Sequence, residues 1–181
     1  MHFVEKGARN GHLRKNRRPF RVIEQFRHFW GDYVAPLYKR PERLQFAALC
    51  YRGHGDRTQI LLITSRDTGR WVLPKGWPIK GLDSAGSAMR EAWEEAGVRA
   101  GRASKSPLGE FVYGKTLPGD WSIPVRTLVY AVEVAELLDD YPEVTQRRRV
   151  WVNPEEAADM VNEPGLKDLL RDFRAEAPVL R

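Results

Sequence analysis

Three closely spaced glutamates near the middle of the chain constrain its fold more than any other feature. They are Glu91, Glu94 and Glu95, at the end of a run of small residues. At about 100° per residue they fall on one side of a helix, and alanines fill the other side. Asp83 or Ser84 can cap the start of this helix, and Gly97 can adopt the left-handed conformation that ends it. The sequence therefore predicts an amphipathic helix over about 84–96 with an acidic stripe.

The acidic stripe needs a compensating charge, because like charges one helical turn apart cost about 0.2–0.5 kcal/mol per pair. Arg90 can bridge to Glu94 on the same helix, but a single guanidinium leaves the stripe negative. A hard divalent cation is the natural remaining partner, and oxygen ligands of this kind suit Mg²⁺ or Mn²⁺. Taken alone, such a stripe is more often an ordinary helix surface facing solvent. The residues around it decide between these interpretations.

The spacing around the helix resembles the signature of a known family. Gly76 is followed by five residues, Leu82, seven residues and the segment 90–98, which reads Arg-Glu-Ala-Trp-Glu-Glu-Ala-Gly-Val. This spacing is similar to the Nudix box of the Nudix hydrolases, and eight of the nine specified positions match. The exception is Leu82, where the family usually has glutamate, and Asp83 is a candidate substitute.

The resemblance implies a role for each polar position of the segment. Glu91, Glu94 and Glu95 would be ligands of Mg²⁺ or Mn²⁺, with Glu91 or Glu95 helping to deprotonate the attacking water. Arg90 would hold a glutamate in place, and the backbone carbonyl of Lys75 would be a further metal ligand. Family members often recruit one more acid from outside the box. The first candidate for that acid is Glu143, and the runners-up are Glu110 and Glu133.

Candidate substrate contacts are the cations near the box, since phosphate groups need positive partners. The first choices are Arg43, Arg66, Arg70, Lys75 and Lys80, and further candidates are Lys115, Arg126 and the run 147–149. Glycines around Lys75 let the backbone approach a ligand closely. Trp77 or Trp121 could stack on a base, although a tryptophan in a loop more often packs locally.

The chain divides into a basic extension, residues 1–40, and a domain, residues 41–181. Residues 1–19 are rich in Lys, Arg and His and poor in apolar residues, so they have little capacity to form a core. Apolar residues at helical spacing predict a helix near 20–33. The formal net charge of +6 suggests an anionic partner without choosing among nucleotide, inositol phosphate, nucleic acid and membrane surface.

The domain reads as an alternation of apolar, β-prone runs and helices. Strands are predicted over 44–51, 58–65, 70–73, 108–113, 123–134 and 150–152, and helices over 84–96, 154–161 and 166–175. Polar loops are predicted over 114–122 and 137–146. This order gives an α+β domain whose mixed β-sheet is sandwiched between helices (α/β/α), which agrees with the Nudix fold. The single cysteine, Cys50, lies in an apolar run and excludes a disulfide within the chain.

Attack of water on a diphosphate needs neutralised phosphoryl oxygens, activated water and a positioned leaving group. With the resemblance, this predicts a Mg²⁺-dependent pyrophosphohydrolase that acts on a nucleoside diphosphate linked to another moiety, a dinucleoside polyphosphate or a diphosphoinositol polyphosphate. Outside the box, the strand end Trp71-Val-Leu-Pro74, the long apolar strand, the acidic loop and Arg149-Val-Trp151 look most like the branch that acts on dinucleoside and diphosphoinositol polyphosphates. Two alternatives stay open, an RNA 5′ pyrophosphohydrolase and a catalytically silent ligand sensor or nucleic-acid-binding module. The sequence shows no signal peptide or membrane span, so a cytoplasmic location is expected. A homodimer that forms through the segment near Phe26 is left open.

Overall fold

A computed structural model describes residues 43–117 and 121–175 of the chain. The strands are β1 (Arg43–Arg52), β2 (Gln59–Thr64), β3 (Trp71–Val72), β4 (Lys75–Gly76), β5 (Val98–Ala103), β6 (Gly109–Leu117), β7 (Trp121–Leu137) and β8 (Arg149–Val152). The helices are α1 (Ser84–Ala96), α2 (Pro154–Met160) and α3 (Pro164–Asp172), and a 3-10 turn covers Gly55–Arg57. The helix predicted near 20–33 and the basic segment 1–19 lie outside the described residues.

The strands form one mixed sheet with β1 and β7 at its centre. These two strands run parallel, from Arg43 opposite Val125 to Tyr51 opposite Glu133. The other pairings are antiparallel, and they join β1 with β2 and β4, β2 with β3 and β8, and β7 with β5 and β6. A strand that is buried on both faces needs a continuous apolar run, and β1 has one from Phe46 to Cys50.

Successive residues of β1 point to opposite faces and so contribute to two separate cores. Ala47 and Leu49 pack with residues of α2 and α3, among them Ala157 and Leu166. Phe46, Ala48 and Cys50 pack instead with the alanines of α1. The sheet therefore lies between α1 on one face and the α2–α3 pair on the other, which confirms the predicted α/β/α arrangement.

Helix α1 has the boundaries and caps that the sequence predicts. The Asp83 carboxylate accepts a hydrogen bond from the Gly86 N–H at 2.6 Å, and Gly97 ends the helix with a φ of 68°. Asp83 thus satisfies a free N–H of the first turn. The local sequence fixes both ends of the helix that carries the glutamates.

Three details of the secondary structure differ from the prediction. The predicted polar loop over 114–122 is wrong in extent, because β6 and β7 continue pairing to Leu117 opposite Trp121. Strand β5 was not predicted, since its residues are mostly polar or small and it exists by pairing with β7 through an irregular register. The two-residue strand β4 was expected to be loop.

Among the described residues, none of the helices is long and apolar enough to cross a lipid bilayer.

Candidate active site

A cleft of about 760 Å³ opens where α1, β4, β6 and the segments around 65–70 and 143–147 meet. Its acidic side chains include Glu91, Glu95 and Glu143. Its basic side chains are Arg66, Arg70, Lys75, Lys115 and Arg147. The cleft thus collects both kinds of charge that a polyphosphate and its counter-ion would need.

Glu91 lies against the backbone of Gly76. A Cβ atom at Gly76 would overlap the Glu91 carboxylate, so only glycine permits this approach. Burial raises the pKa of Glu91 to about 7, and the nearby charges of Glu95, Glu94 and Glu143 act in the same direction. Within the described residues, Glu91 has no hydrogen-bond or ion-pair partner. Its carboxylate is therefore available to a ligand of the cleft.

Glu95 is held from two sides. Its Oε2 atom accepts a hydrogen bond from the Lys75 backbone N–H at 3.0 Å, and its Oε1 atom contacts the Arg147 guanidinium. Burial raises the pKa of the Glu95 carboxyl, and the charge of Arg147 opposes that effect. Glu95 is thus a fixed carboxylate of the cleft wall.

Arg147 links the carboxylates of two separate segments. Its side chain is 6% exposed, and its Nε atom donates to Glu143 at 2.5 Å while Nη1 donates to the Thr64 carbonyl at 3.0 Å. Together with the contact to Glu95, these bonds use most of the guanidinium. Arg147 is among the further candidates for substrate contact, and the structure shows it as a buried counter-charge for Glu95 and Glu143.

Glu94 and Arg90 pair with each other outside the cleft lining. Arg90 Nε donates to Glu94 Oε1 at 2.5 Å, and the guanidinium lies 4.5 Å from the centre of the Trp93 ring. The backbone carbonyl of Glu94 accepts from the Glu143 N–H at 3.1 Å. This last bond attaches the loop that carries Glu143, the first candidate for the additional acid, to the end of α1.

A second polar group lines the cleft around Tyr113. The Tyr113 hydroxyl donates to the buried Gln45 side chain at 2.8 Å, and burial raises its pKa to about 12. Arg70 pairs with the buried Glu163. Burial lowers the pKa of Lys75 to about 8, and the charge of Glu95 partly offsets that effect. Lys75 is therefore a buried amine whose charge a phosphate would stabilise.

The carboxylates fit a hard divalent cation by their chemistry. They are oxygen donors whose mutual repulsion is felt at Glu91, and a cation would relieve it. Among the residues that the structure describes, no group of three acidic, His or Cys side chains has the spacing of a preformed metal site. Arg147 holds Glu95 and Glu143, while Arg90 holds Glu94.

The structure brings together most, but not all, of the site residues that the sequence predicts. Those that line the cleft are Glu91, Glu95, Glu143, Arg66, Arg70 and Lys75. Those that do not are Arg90, Glu94, Arg43 and Lys80. Arg43 lies 5.9 Å from the ring of Trp77, which does line the cleft, and Lys80 is exposed. The runners-up Glu110 and Glu133 pair with Arg126 and Arg102 on the sheet.

Sequence reasoning missed Glu163, Tyr113 and Gln45, which also line the cleft. Glu163 immediately precedes Pro164, the first residue of α3, and this position indicates only the start of a helix. Tyr113 and Gln45 lie in strands and give no signal in the sequence. The side chain of Trp121, the second candidate for base stacking, lies outside the described residues.

Comparison of the sequence with models of known protein families identifies the class of protein. A model of the NUDIX domain matches residues 41–173. The chain therefore belongs to the Nudix family.

Two named human relatives resemble part of the chain. The chain is 34% identical over 113 residues to diphosphoinositol polyphosphate phosphohydrolase 3-beta and to the 3-alpha protein, both from Homo sapiens. Each match covers 61% of this chain and 64% of the relative, so the chain spans less than two thirds of the curated relatives' length.

Solved structures share the fold at lower identity. A C. elegans Ap4A hydrolase in a binary complex superposes with a TM-score of 0.53 at 20% identity, covering 71% of this chain and 93% of that one. A NUDIX hydrolase from Nitrosomonas europaea gives a TM-score of 0.55 at 18% identity, covering 77% of this chain and 96% of that one. At this identity the likeness establishes the fold.

Proposed function

We propose that this protein hydrolyses a phosphoanhydride bond in a small polyphosphate, with Mg²⁺ or Mn²⁺ as cofactor. The favoured substrates are a nucleoside diphosphate linked to another moiety, a dinucleoside polyphosphate and a diphosphoinositol polyphosphate. Membership of the Nudix family supports hydrolysis, and the names of the curated relatives support the polyphosphate.

The observation that carries the proposal is the position of Glu91. It is the one carboxylate of α1 that both lines the cleft and lacks a polar partner among the described residues, and Gly76 leaves room for it. A proton acceptor must lie within hydrogen-bond reach of the attacking water, directly or through one further water. Glu91 can accept that proton, whereas both oxygens of Glu95 already accept hydrogen bonds.

The neighbouring residues divide the remaining tasks. Glu91, Glu95 and Glu143 would hold a divalent cation from the cleft, and Glu94 and the Lys75 carbonyl are the further ligands that the family pattern proposes. A cation bound there would neutralise the phosphoryl oxygens and acidify water. Arg147 keeps Glu95 and Glu143 in place. Lys75 and Lys115 present positive charge to the phosphates, which keeps the scissile bond beside Glu91.

Phosphate release from a substrate panel tests this proposal. The panel contains diadenosine polyphosphates, ADP-ribose, nucleoside triphosphates, an inositol pyrophosphate and 5′-triphosphorylated RNA, each with Mg²⁺, Mn²⁺ or EDTA. Turnover should need the metal, and Glu91→Gln should lower kcat at least about 100-fold, as loss of a general base does. The matched control is Glu156→Gln, which makes the same charge change on an exposed position of α2.

Metal-independent turnover, or equal activity of Glu91→Gln and wild type, would overturn the proposal. Turnover of the RNA alone would favour the RNA alternative. That alternative depends on the basic segment 1–19, outside the described residues, and it stays a prediction, as do the silent-sensor alternative, the cytoplasmic location and the homodimer.

A further inference from the structure

The cleft is nearly neutral, although the whole chain carries a formal charge of +6. Five basic side chains line it, and five acidic ones oppose them. The acidic ones are Asp67, Glu91, Glu95, Glu143 and Glu163. A site for a heavily phosphorylated ring would need a clear excess of positive charge, since each phosphate brings charge into a partly desolvated space.

Three of the five cations are already paired within the cleft. Arg66 contacts Glu143 at 3.1 Å, Arg70 contacts Glu163, and Arg147 contacts Glu95. For Lys75 and Lys115, no described carboxylate lies within ion-pair distance. Before any cation binds, the charge that the cleft can offer to phosphates without breaking an ion pair is therefore two ammonium groups.

Glu163 makes the largest difference to this balance. Its side chain is 7% exposed, and its Oε1 atom contacts Arg70. Its Oε2 atom is buried without a hydrogen-bond partner among the described residues. A buried carboxylate that is only partly compensated keeps a strong negative field around it, because little water screens it. That field acts in the wall of a cleft proposed to bind anions.

Part of the cleft is suited to an uncharged moiety. Trp77 and Val112 both line it, and they are 36% and 52% exposed. Exposed apolar side chains beside a polar cleft can cover the face of a base or a sugar. The Lys115 ammonium lies 5.0 Å from the Trp77 ring centre, where it can reach a phosphate attached to such a group.

We infer that Glu163 is a specificity-determining residue, which neutralises Arg70 and disfavours polyanions. The cleft then selects substrates in which a short phosphate bridge joins uncharged groups, such as dinucleoside polyphosphates, over inositol rings with phosphate at every position. This inference rests on the proposed function and narrows its substrate class. The expected preference differs from the one that the names of the curated relatives suggest, because inositol compounds are expected to bind more weakly than dinucleoside polyphosphates.

The dissociation constants of two probes, measured in metal-free buffer with EDTA, test the inference. The probes are diadenosine tetraphosphate for the bridged class and inositol hexakisphosphate for the polyanion, each measured by calorimetry. Wild type should bind the bridged probe more tightly. Glu163→Gln should shift the ratio of the two Kd values about tenfold toward the polyanion, and Glu163→Lys should shift it further, since each step removes negative charge.

Two further variants keep the test decisive. Glu156→Gln, with the same charge change outside the cleft lining, should leave the ratio within about twofold, as a screened surface charge does. Arg70→Gln leaves Glu163 uncompensated and should shift the ratio about tenfold the other way. This second direction can be measured even where a Glu163 variant fails to fold, which circular dichroism would show.

The outcomes separate this inference from the proposed function. If wild type prefers inositol hexakisphosphate, or if folded Glu163 and Arg70 variants leave the ratio unchanged, Glu163 does not set specificity. If the ratio moves as expected while no member of the substrate panel is hydrolysed, the proposed function fails and the assignment of Glu163 stands.

Discussion

Two sets of charged side chains in the cleft follow the same plan with opposite signs. In the acidic set, Arg147 holds Glu95, whereas Glu91 has no polar partner among the described residues. In the basic set, Glu163 holds Arg70, whereas Lys75 has no carboxylate within ion-pair distance in the described part of the chain. The difference within each set indicates that the paired groups are held in place, whereas the unpaired ones can meet a ligand without breaking an ion pair.

The strongest test of this comparison is removal of Arg147. In Arg147→Met, the carboxylates of Glu95 and Glu143 lose their buried counter-charge, and we expect the free energy of unfolding to fall by about 3–5 kcal/mol. Urea denaturation would measure the loss. The control is Arg148→Met, at an exposed neighbouring position, where the change should stay below about 1 kcal/mol. Equal effects of the two substitutions would show that Arg147 does not stabilise the acidic set.

A smaller effect is expected from closing the space beside Glu91. In Gly76→Ala, the new methyl group meets the Glu91 carboxylate, which is the far end of a flexible side chain and can move aside, so stability should change by less than about 1 kcal/mol. Turnover should fall more than stability suggests, because the displaced group is the proposed proton acceptor. Gly101→Ala is the control, since its Cβ would meet its nearest neighbour at an ordinary 3.4 Å. Unchanged turnover in Gly76→Ala would remove Glu91 from the chemistry.

The pH dependence of stability sharpens the contrast between Glu91 and its paired neighbours. Since folding raises the pKa of Glu91 from 4.5 to about 7, the folded state binds the proton more tightly, and this group makes stability fall as pH rises from 4.5 to 7. Glu91→Gln lacks that loss. In EDTA, the free energy of unfolding of Glu91→Gln minus that of wild type should grow by about 1 kcal/mol between pH 4.5 and 7, the value for a partly exposed group. Above pH 7 this difference should stay constant. A constant difference from pH 4.5 to 7 would contradict the assignment.

The smallest expected effect concerns the hydrogen bond beneath the basic set. Tyr113→Phe removes the donor to the buried Gln45 oxygen and should cost about 1 kcal/mol of stability. Thermal unfolding would detect it. Because Tyr113 lies beside Lys75, a change in substrate KM without a change in kcat would place that ammonium at the substrate rather than at the reacting atoms.

Local sequence predicted those parts of the molecule that local chemistry determines. Helix α1 follows from Asp83 at its start, Gly97 at its end and the spacing of its glutamates, all within a short segment. The apolar runs over 44–51 and 123–134 predicted strands in the same way, and β1 and β7 lie there. The acidic loop that carries Glu143 also lies where the sequence put it, since β7 ends at Leu137 and β8 begins at Arg149.

The parts that the sequence did not predict depend on partners far along the chain. Strand β5 has no apolar pattern of its own and forms because β7 extends far enough to pair with it. Arg147 looks like a surface cation until Glu95, 52 positions away, is brought beside it. The contact between Arg70 and Glu163 spans 93 positions. Residue types and spacing contain no information on such pairs.

Binding of Mn²⁺ tests most directly the claim that the acidic set is a metal site with Glu91 as its free ligand. Electron paramagnetic resonance can follow the titration of wild type, Glu91→Gln and Glu156→Gln without any substrate. We expect wild type and Glu156→Gln to bind Mn²⁺ with the same affinity, and Glu91→Gln to bind it at least about tenfold more weakly. Loss of a group that only supports a metal ligand already weakens metal binding by about that factor. Absence of Mn²⁺ binding to wild type, or equal affinity in Glu91→Gln, would contradict the account.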